Sequence, residues 1–247
     1  VEPLELGSAG MLVTINERRY AIPAAVPGDR LRVLPPRRDD IPPRMRGSDE
    51  PALAARLEVV EGAKGRVVAP CAALLDCGAC ALQEQRYSAQ LQAKLEALRS
   101  LLGPLGAAQE RVKVRGLEVP FGYRTKLSMA AGGRSGALRF GFYPRGSFGE
   151  PVPAEGCPVQ HPLTLSTLAL VRQALDATHV SPTNAKDPRS GWLHGVVVRV
   201  DPSRGASEIT LVGRNERPPG RATFAQQLAA LPGVDAVHIG VNPRRSS

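Results

Sequence analysis

The sequence predicts an α+β protein: a small β-barrel over residues 1–66, a cysteine-bearing segment with one amphipathic helix over 67–106, and a mixed α+β region over 107–247. Three observations lead there. Short apolar strands separated by turn pairs fill the first stretch. A leucine stripe at helical spacing follows three closely set cysteines. Beyond it, strands and helices alternate without an internal repeat.

In the first region Met11-Leu12-Val13-Thr14-Ile15 reads as a strand, Asn16-Glu17 as a turn and Arg19-Tyr20-Ala21-Ile22 as the returning strand. Pro27-Gly28 is a turn pair, because proline presets φ and glycine accepts the positive φ that follows. Leu31 and Val33 alternate with Arg30 and Arg32, which gives a strand with one buried and one basic face. A further strand fits Arg56 to Val60. The proline- and charge-rich stretch from Pro35 to Pro51 is expected to be an exposed loop.

Tyr87, Leu91, Leu95, Leu98 and Leu102 lie on one face of a helix that Gly103-Pro104 should stop. Leu127–Ala130 and Leu138–Tyr143 read as a hairpin whose flexible tip is Gly132-Gly133-Arg134-Ser135-Gly136. A helix fits Leu163–Ala177. Strands fit His194–Val200 and Glu208–Val212, joined through Asp201-Pro202 and Gly205. A short helix fits Thr223–Leu231 and a last strand Ala236–Ile239.

The chain is 43% hydrophobic and 22% charged, an ordinary globular balance. No apolar run approaches the roughly 20 residues needed to span a bilayer. The opening Val1-Glu2-Pro3-Leu4-Glu5 has neither the basic nor the apolar part of a secretory signal, although the chain starts without Met. A cytoplasmic monomer with no membrane partner is expected. The formal net charge is +9, and only five of the 32 basic residues are lysine, leaving 27 arginines. Guanidinium groups grip phosphate oxygens in pairs, so this surface suits a nucleic acid. A general bias toward arginine over lysine would give the same count.

The sharpest chemistry lies in Cys71, Cys77, Cys80 and Cys157. The first three follow a Cys-x5-Cys-x2-Cys spacing, and small residues between them allow a tight loop. The fourth stands in Gly156-Cys157-Pro158. Three close cysteines and a remote Cys-Pro suit ligation of a [4Fe–4S] cluster. Zinc is an alternative, with only Cys77/Cys80 at knuckle spacing and His161 as a further donor. Disulfides, or buried thiols without a ligand, are the others.

The stretch Cys71-Ala72-Ala73-Leu74-Leu75-Asp76-Cys77-Gly78-Ala79-Cys80, with Leu82-Gln83 and Tyr87-Ser88-Ala89-Gln90-Leu91-Gln92-Ala93-Lys94 after it, resembles the iron–sulfur segment of the RNA (uracil-5-)-methyltransferases acting on ribosomal or transfer RNA. Tyr123-Arg124-Thr125-Lys126 resembles a signature of the same family. So do Gly141-Phe142-Tyr143-Pro144-Arg145-Gly146-Ser147 and Cys157-Pro158-Val159. Tyr20-Ala21-Ile22-Pro23 with Val26-Pro27-Gly28-Asp29 resembles a TRAM domain, an OB-like RNA-binding barrel. Val241-Asn242-Pro243-Arg244-Arg245 resembles the linker into the methyltransferase domain. Two departures stand out: Ala79 where the family has glycine, and Glu84 where it has histidine.

The resemblance implies an α+β fold with an N-terminal TRAM barrel, an iron–sulfur segment, a central α+β domain, and the C-terminal Rossmann-like methyltransferase domain absent. It implies Cys71, Cys77, Cys80 and Cys157 as ligands of a [4Fe–4S] cluster, and RNA as partner. In the family's reaction a cysteine thiolate adds to C6 of uracil, C5 takes the methyl group of S-adenosylmethionine, and a base removes the C5 proton. With all four cysteines engaged by the cluster no nucleophile remains, so no catalytic residue is assigned. S-adenosylmethionine would enter only through the missing domain, which is expected to cover the 87–102 helix.

For RNA contacts the candidates are Arg124 and Lys126, on the backbone or around the cluster, and Arg19, Arg30 and Arg32 on the barrel. Each has the plainer reading of a solvated strand charge. Phe142 and Tyr143 could stack on a base or fill a core. Trp192 reads as packing, and the four histidines show no catalytic pattern.

Overall fold

The computed structural model describes residues 5–7, 10–37, 39, 41, 51–105, 111–145, 149–183 and 190–242. The chain divides into two compact units, Val1–Glu118 and Val119–Ser247.

In the first unit, β1 (Glu5–Gly7), β2 (Gly10–Ile15), β3 (Arg18–Ile22) and β5 (Ala52–Leu53) form one sheet in that order. A second ladder pairs β4 (Arg30–Leu34) with β6 (Ala55–Glu61), antiparallel. The β2–β3 connection is the expected Asn16-Glu17 turn. Both residues take positive φ, 49° and 64°, which a tight two-residue hairpin demands. Gly28, at φ 89°, completes the Pro27-Gly28 turn. Met11, Val13, Ile22, Ala25, Leu31 and Ala54 form the buried core of this unit. Of the predicted Pro35–Pro51 loop, residues 38, 40 and 42–50 lie outside the described residues. Ile41 is buried, contrary to an exposed loop, because its apolar side chain finds a place in the interior.

The expected fold class is corrected here. Instead of an α+β chain led by an OB-like (TRAM) barrel, the structure is sheet-rich, with twelve strands in three sheets among the described residues. The N-terminal strands do not share one continuous ladder among those residues. β5 is only two residues long and runs parallel to β3, so the first sheet stops there. The β4–β6 ladder is separate and shifts register twice, between Arg30/Leu31 and Arg32/Val33. Bulges of this kind bend a strand locally and increase its twist.

The predicted leucine-striped helix is α1 (Tyr87–Leu102), followed by a 3-10 turn at Gly103–Leu105 in place of a clean stop. None of its residues is fully buried, and Leu98 and Leu101 are exposed. Tyr87 and Leu91 reach Gly116, where a Cβ would lie 2.7 Å from the Leu91 side chain.

The second unit is built on a six-stranded sheet. Its strands are β7 (Lys126–Arg134), β8 (Ala137–Phe142), β9 (Val152–Pro153), β10 (Leu193–Asp201), β11 (Ala206–Gly213) and β12 (Val234–Val241), in the spatial order β12-β11-β10-β7-β8-β9. All neighbours are antiparallel except β11–β12, whose parallel pairing uses the helix α3 (Arg221–Ala229) as its crossover. The other helix, α2 (Pro162–Ala177), packs with α3 on the sheet. Leu127, Phe140, Val198 and Leu211 from strands meet Leu168, Val171, Leu175 and Phe224 from helices in one core. Burying such side chains is the main stabilising term of the unit, about 1.5–3 kcal/mol each.

The β7–β8 tip is shorter than predicted. Gly132 and Gly133 sit in the strand, paired with Arg139 and Leu138, and only Ser135-Gly136 make the turn. Gly133 takes φ 80°, and a Cβ there would lie 2.5 Å from the Ala137 carbonyl oxygen, so glycine serves the ladder and not a flexible loop. Trp192 packs as predicted, with Nε1 donating to the Asn215 carbonyl at 3.0 Å and the ring lying against Gly213. Among the described residues no helix is long and apolar enough to cross a membrane.

Candidate metal-ligand segment and nucleic-acid interface

Residues 71–80 form consecutive turns. The Leu74 N–H donates to the Cys71 carbonyl at 3.3 Å, and the Cys77 N–H to the Ala73 carbonyl at 2.8 Å. Neither Gly78 nor Ala79 takes a positive φ, so alanine meets the turn without strain. Cys77 is buried, Cys71 and Cys80 are half-buried, and none of the four cysteines is in a disulfide. Among the described residues no three His, Cys, Asp or Glu side chains are gathered into a group able to hold a metal ion.

The loop that carries these cysteines is pinched at its base. Arg66 bridges Gln85 antiparallel, with the Val67 N–H donating to the Glu84 carbonyl at 2.8 Å and the Arg86 N–H to the Gly65 carbonyl at 3.0 Å. Beneath this bridge lies a chain of ion pairs. Asp29 pairs with Arg66, Arg66 with Glu84 at 2.8 Å, and Glu84 with Arg56. Asp29 is fully buried and also accepts the Val26 N–H at 2.7 Å and the Ala63 N–H at 2.9 Å. Burial would raise the pKa of Asp29, but hydrogen bonds from Arg66, Ala63 and Val26 outweigh it and hold the carboxyl below its usual range. Glu84 behaves alike: burial opposes, Arg56 and Arg66 prevail, and its pKa is lowered. The Asp29 hydrogen bond raises that of Arg66. Glu84 is legible in the sequence only as a departure from a motif; the structure gives it two arginine partners.

Gln83, at the end of the cysteine loop, is 9% exposed, and neither atom of its amide group finds a partner. Buried amides without partners are uncommon and ask for an explanation.

In the second unit the structure brings together two motifs that lie far apart in sequence. The Arg124 N–H donates to the Val159 carbonyl at 3.0 Å, the His161 N–H to the Arg124 carbonyl at 2.9 Å, and the Gly122 N–H to the Pro158 carbonyl at 2.9 Å. The Tyr123–Lys126 segment and the Cys157–His161 segment therefore lie side by side. Cys157 sits in a turn, its N–H on the Ala154 carbonyl at 3.1 Å. His161 is engaged as the N-cap of α2, where Nδ1 accepts the Leu163 N–H at 3.2 Å. The cap engages Nδ1 alone.

The proposed RNA contacts are dispersed. Arg124 is half-buried with its guanidinium 5.9 Å from the Tyr123 ring centre. Lys126 is exposed and stands directly across the ladder from Arg199, which no sequence motif singles out. On its other side Arg199 stands across from Glu208, so the row carries both signs of charge. Arg30 pairs with Glu61 at 3.1 Å and Arg32 with Glu58 at 2.9 Å, all four well exposed. Arg19 is exposed on β3. Phe142 is partly buried against the core, whereas Tyr143 is exposed. His194, to which the sequence assigns no role, shares a hydrogen bond with Thr183 Oγ1 at 3.0 Å, and burial lowers its pKa.

No protein-family model matches the chain. Over its full length it is 29% identical to a protein of Halalkalibacterium halodurans described as an uncharacterized RNA methyltransferase, covering 52% of that protein. Over 92% of its length it is 31% identical to one of Thermosynechococcus vestitus with the same description, covering 48% of it. The chain thus spans about half the length of the curated relatives it matches. In fold it is similar to the tRNA (uracil-54, C5)-methyltransferase of Pyrococcus abyssi, solved with S-adenosyl-L-homocysteine: TM-score 0.61 at 20% identity, covering 98% of this chain and 53% of that one. Nearly the whole chain thus follows about half of that structure.

Proposed function

We propose that these residues are the RNA-binding, cluster-carrying part of an S-adenosylmethionine-dependent RNA methyltransferase that acts on C5 of uracil, in ribosomal or transfer RNA. The observation that carries the reading is the relationship along nearly the whole chain to proteins described as RNA methyltransferases, joined to a fold likeness to a tRNA uracil-5 methyltransferase. The excess of arginine and the +9 charge support an RNA partner. In this reading Arg19, Arg30, Arg32, Arg124 and Lys126 contact the phosphate backbone.

Cys71, Cys77, Cys80 and Cys157 are proposed as ligands of a [4Fe–4S] cluster. Four thiols without disulfides supply the donor chemistry, and Gln83 places a buried, unsatisfied amide at the end of the loop that bears three of them. Bound, such a cluster would tie loop to loop and hold the segments in place; uracil methylation transfers no electrons.

With every cysteine engaged, no thiol is left to attack C6, so these 247 residues by themselves are expected to transfer no methyl group. The test pairs two assays: binding of the chain to ribosomal and transfer RNA, and incubation of the same RNA with labelled S-adenosylmethionine. Binding without label incorporation is expected. Absence of RNA binding at low salt overturns the reading, and label transferred above background overturns the assignment of all four cysteines.

A further inference from the structure

The second unit carries a cluster of arginines that neither the motifs nor the proposed contacts use. At the β7–β8 hairpin tip, Arg134 and Arg139 face Arg172 of α2 across a cleft of about 520 Å³, together with Gly133, Leu138 and Glu150. The cleft is built rather than accidental. Glu150 Oε1 accepts the Gly133 N–H at 2.7 Å and Arg139 Nη2 at 3.0 Å, which holds Arg139 on the wall. Asp176 accepts the Leu138 N–H at 2.7 Å and lies 3.5 Å from Arg172 Nη1, which fixes that guanidinium along its helix. Gly132 makes the arrangement possible, since a Cβ there would come within 2.6 Å of Glu150 Oε1.

One donor of a residue that lines the cleft has no partner. Arg172 Nε is buried and has no hydrogen-bond partner. A buried N–H on a cation without an acceptor costs free energy that an anionic oxygen would recover. Arg134 is exposed at the hairpin tip, with no carboxylate bound to it among the described residues. Counting Glu150 and Asp176, the site keeps an excess positive charge. It offers planar donors from two directions, the geometry that suits a tetrahedral phosphate oxygen set.

We propose that this cleft binds a phosphodiester of the RNA backbone, with Arg134 and Arg172 as its principal donors and Arg139 as a wall held by Glu150. The proposal rests on the RNA-binding reading and adds to it a site outside the resembling motifs. Because phosphate carries no sequence, the cleft sets register and orientation and is indifferent to base identity.

The test uses the intact chain and ribosomal and transfer RNA, with affinity measured at several salt concentrations. Arg134→Ala and Arg172→Gln are each expected to weaken binding several-fold on every RNA and to lower the salt slope by about one contact, roughly 0.7–0.9 in log–log units. Arg204→Ala, at another exposed position where the arginine pairs with Asp235 at 3.2 Å, serves as the control for simple loss of charge. Wild-type affinity in both cleft variants, or an equal loss in the Arg204 control, overturns the proposal. Should Arg172→Gln fail to fold by circular dichroism, Arg134→Ala at the exposed tip decides alone. Inorganic phosphate at constant ionic strength is the last arm. Competition with RNA that is lost in the cleft variants supports the site, whereas phosphate binding without competition marks a free-anion site and overturns the RNA assignment. If the wild-type chain binds no RNA, the function reading falls as well; if only the cleft variants bind normally, this proposal alone falls.

Discussion

The first unit contains two sets of ion pairs with the same chemistry and opposite surroundings. Asp29, Arg66, Glu84 and Arg56 are 0–18% exposed, pinching the base of the cysteine loop. Arg30–Glu61 and Arg32–Glu58 are 51–68% exposed, laid across the β4–β6 ladder. Water and salt screen the second set, so its arginines can exchange a carboxylate for a phosphate at little cost. In the first set each charge depends on its partner, because a buried charge left alone is penalised heavily. Burial decides which arginines hold the fold and which are available to a ligand.

The largest expected effect comes from breaking the buried set. Arg66→Ala leaves Asp29 buried without its cation and should destabilise the unit by about 3 kcal/mol or more, read by urea or thermal unfolding. An effect under about 1 kcal/mol, the exposed-pair scale, would erase the contrast.

Next in size is the response to acid. Asp29 and Glu84 both have lowered pKa values in the folded chain. Their contribution to stability is therefore fully present above the unfolded carboxylate values of about 4, and is lost as pH falls through the lowered folded values. The melting temperature of the wild type should drop on acidification below about pH 4 more steeply than that of Asp29→Asn, which lacks one of the two groups. Parallel profiles would remove Asp29 from the account.

The smallest effect on folding should come from Arg32→Ala. Stability should change by less than about 1 kcal/mol. RNA affinity should fall modestly, with the salt slope lowered by roughly 0.7–0.9. An unfolding effect as large as that of Arg66→Ala would show that exposure is not what separates the two sets.

Local patterning makes much of the chain legible in its sequence. The leucine stripe marks α1 to the residue, and the Asn16-Glu17 and Pro27-Gly28 turns follow from backbone preferences that act over two residues. What the sequence does not show depends on distant partners. The division of the described strands of the first region into the β1-β2-β3-β5 sheet and the bulged β4–β6 pair is not legible, because none of these residues betrays its partner locally. The Gly132-Gly133 pair has the composition of a flexible tip, yet Glu150 and the Ala137 carbonyl crowd it into a strand. The same holds for the sites. Tyr123–Lys126 and Cys157–His161 are each visible as motifs, but their pairing through Arg124 is not. Arg66 carries no sequence signal at all, and Glu84 stands out only as an oddity. Arg172 reads like any arginine on a helix.

The proposal that sulfur atoms of Cys71, Cys77, Cys80 and Cys157 share one inorganic centre is tested most directly by purifying the chain without oxygen and counting metal. A brown preparation with about four iron and four sulfide per chain is predicted, falling sharply in Cys157→Ser. A colourless, iron-free protein from the same procedure, or an unchanged spectrum in Cys157→Ser, would contradict it.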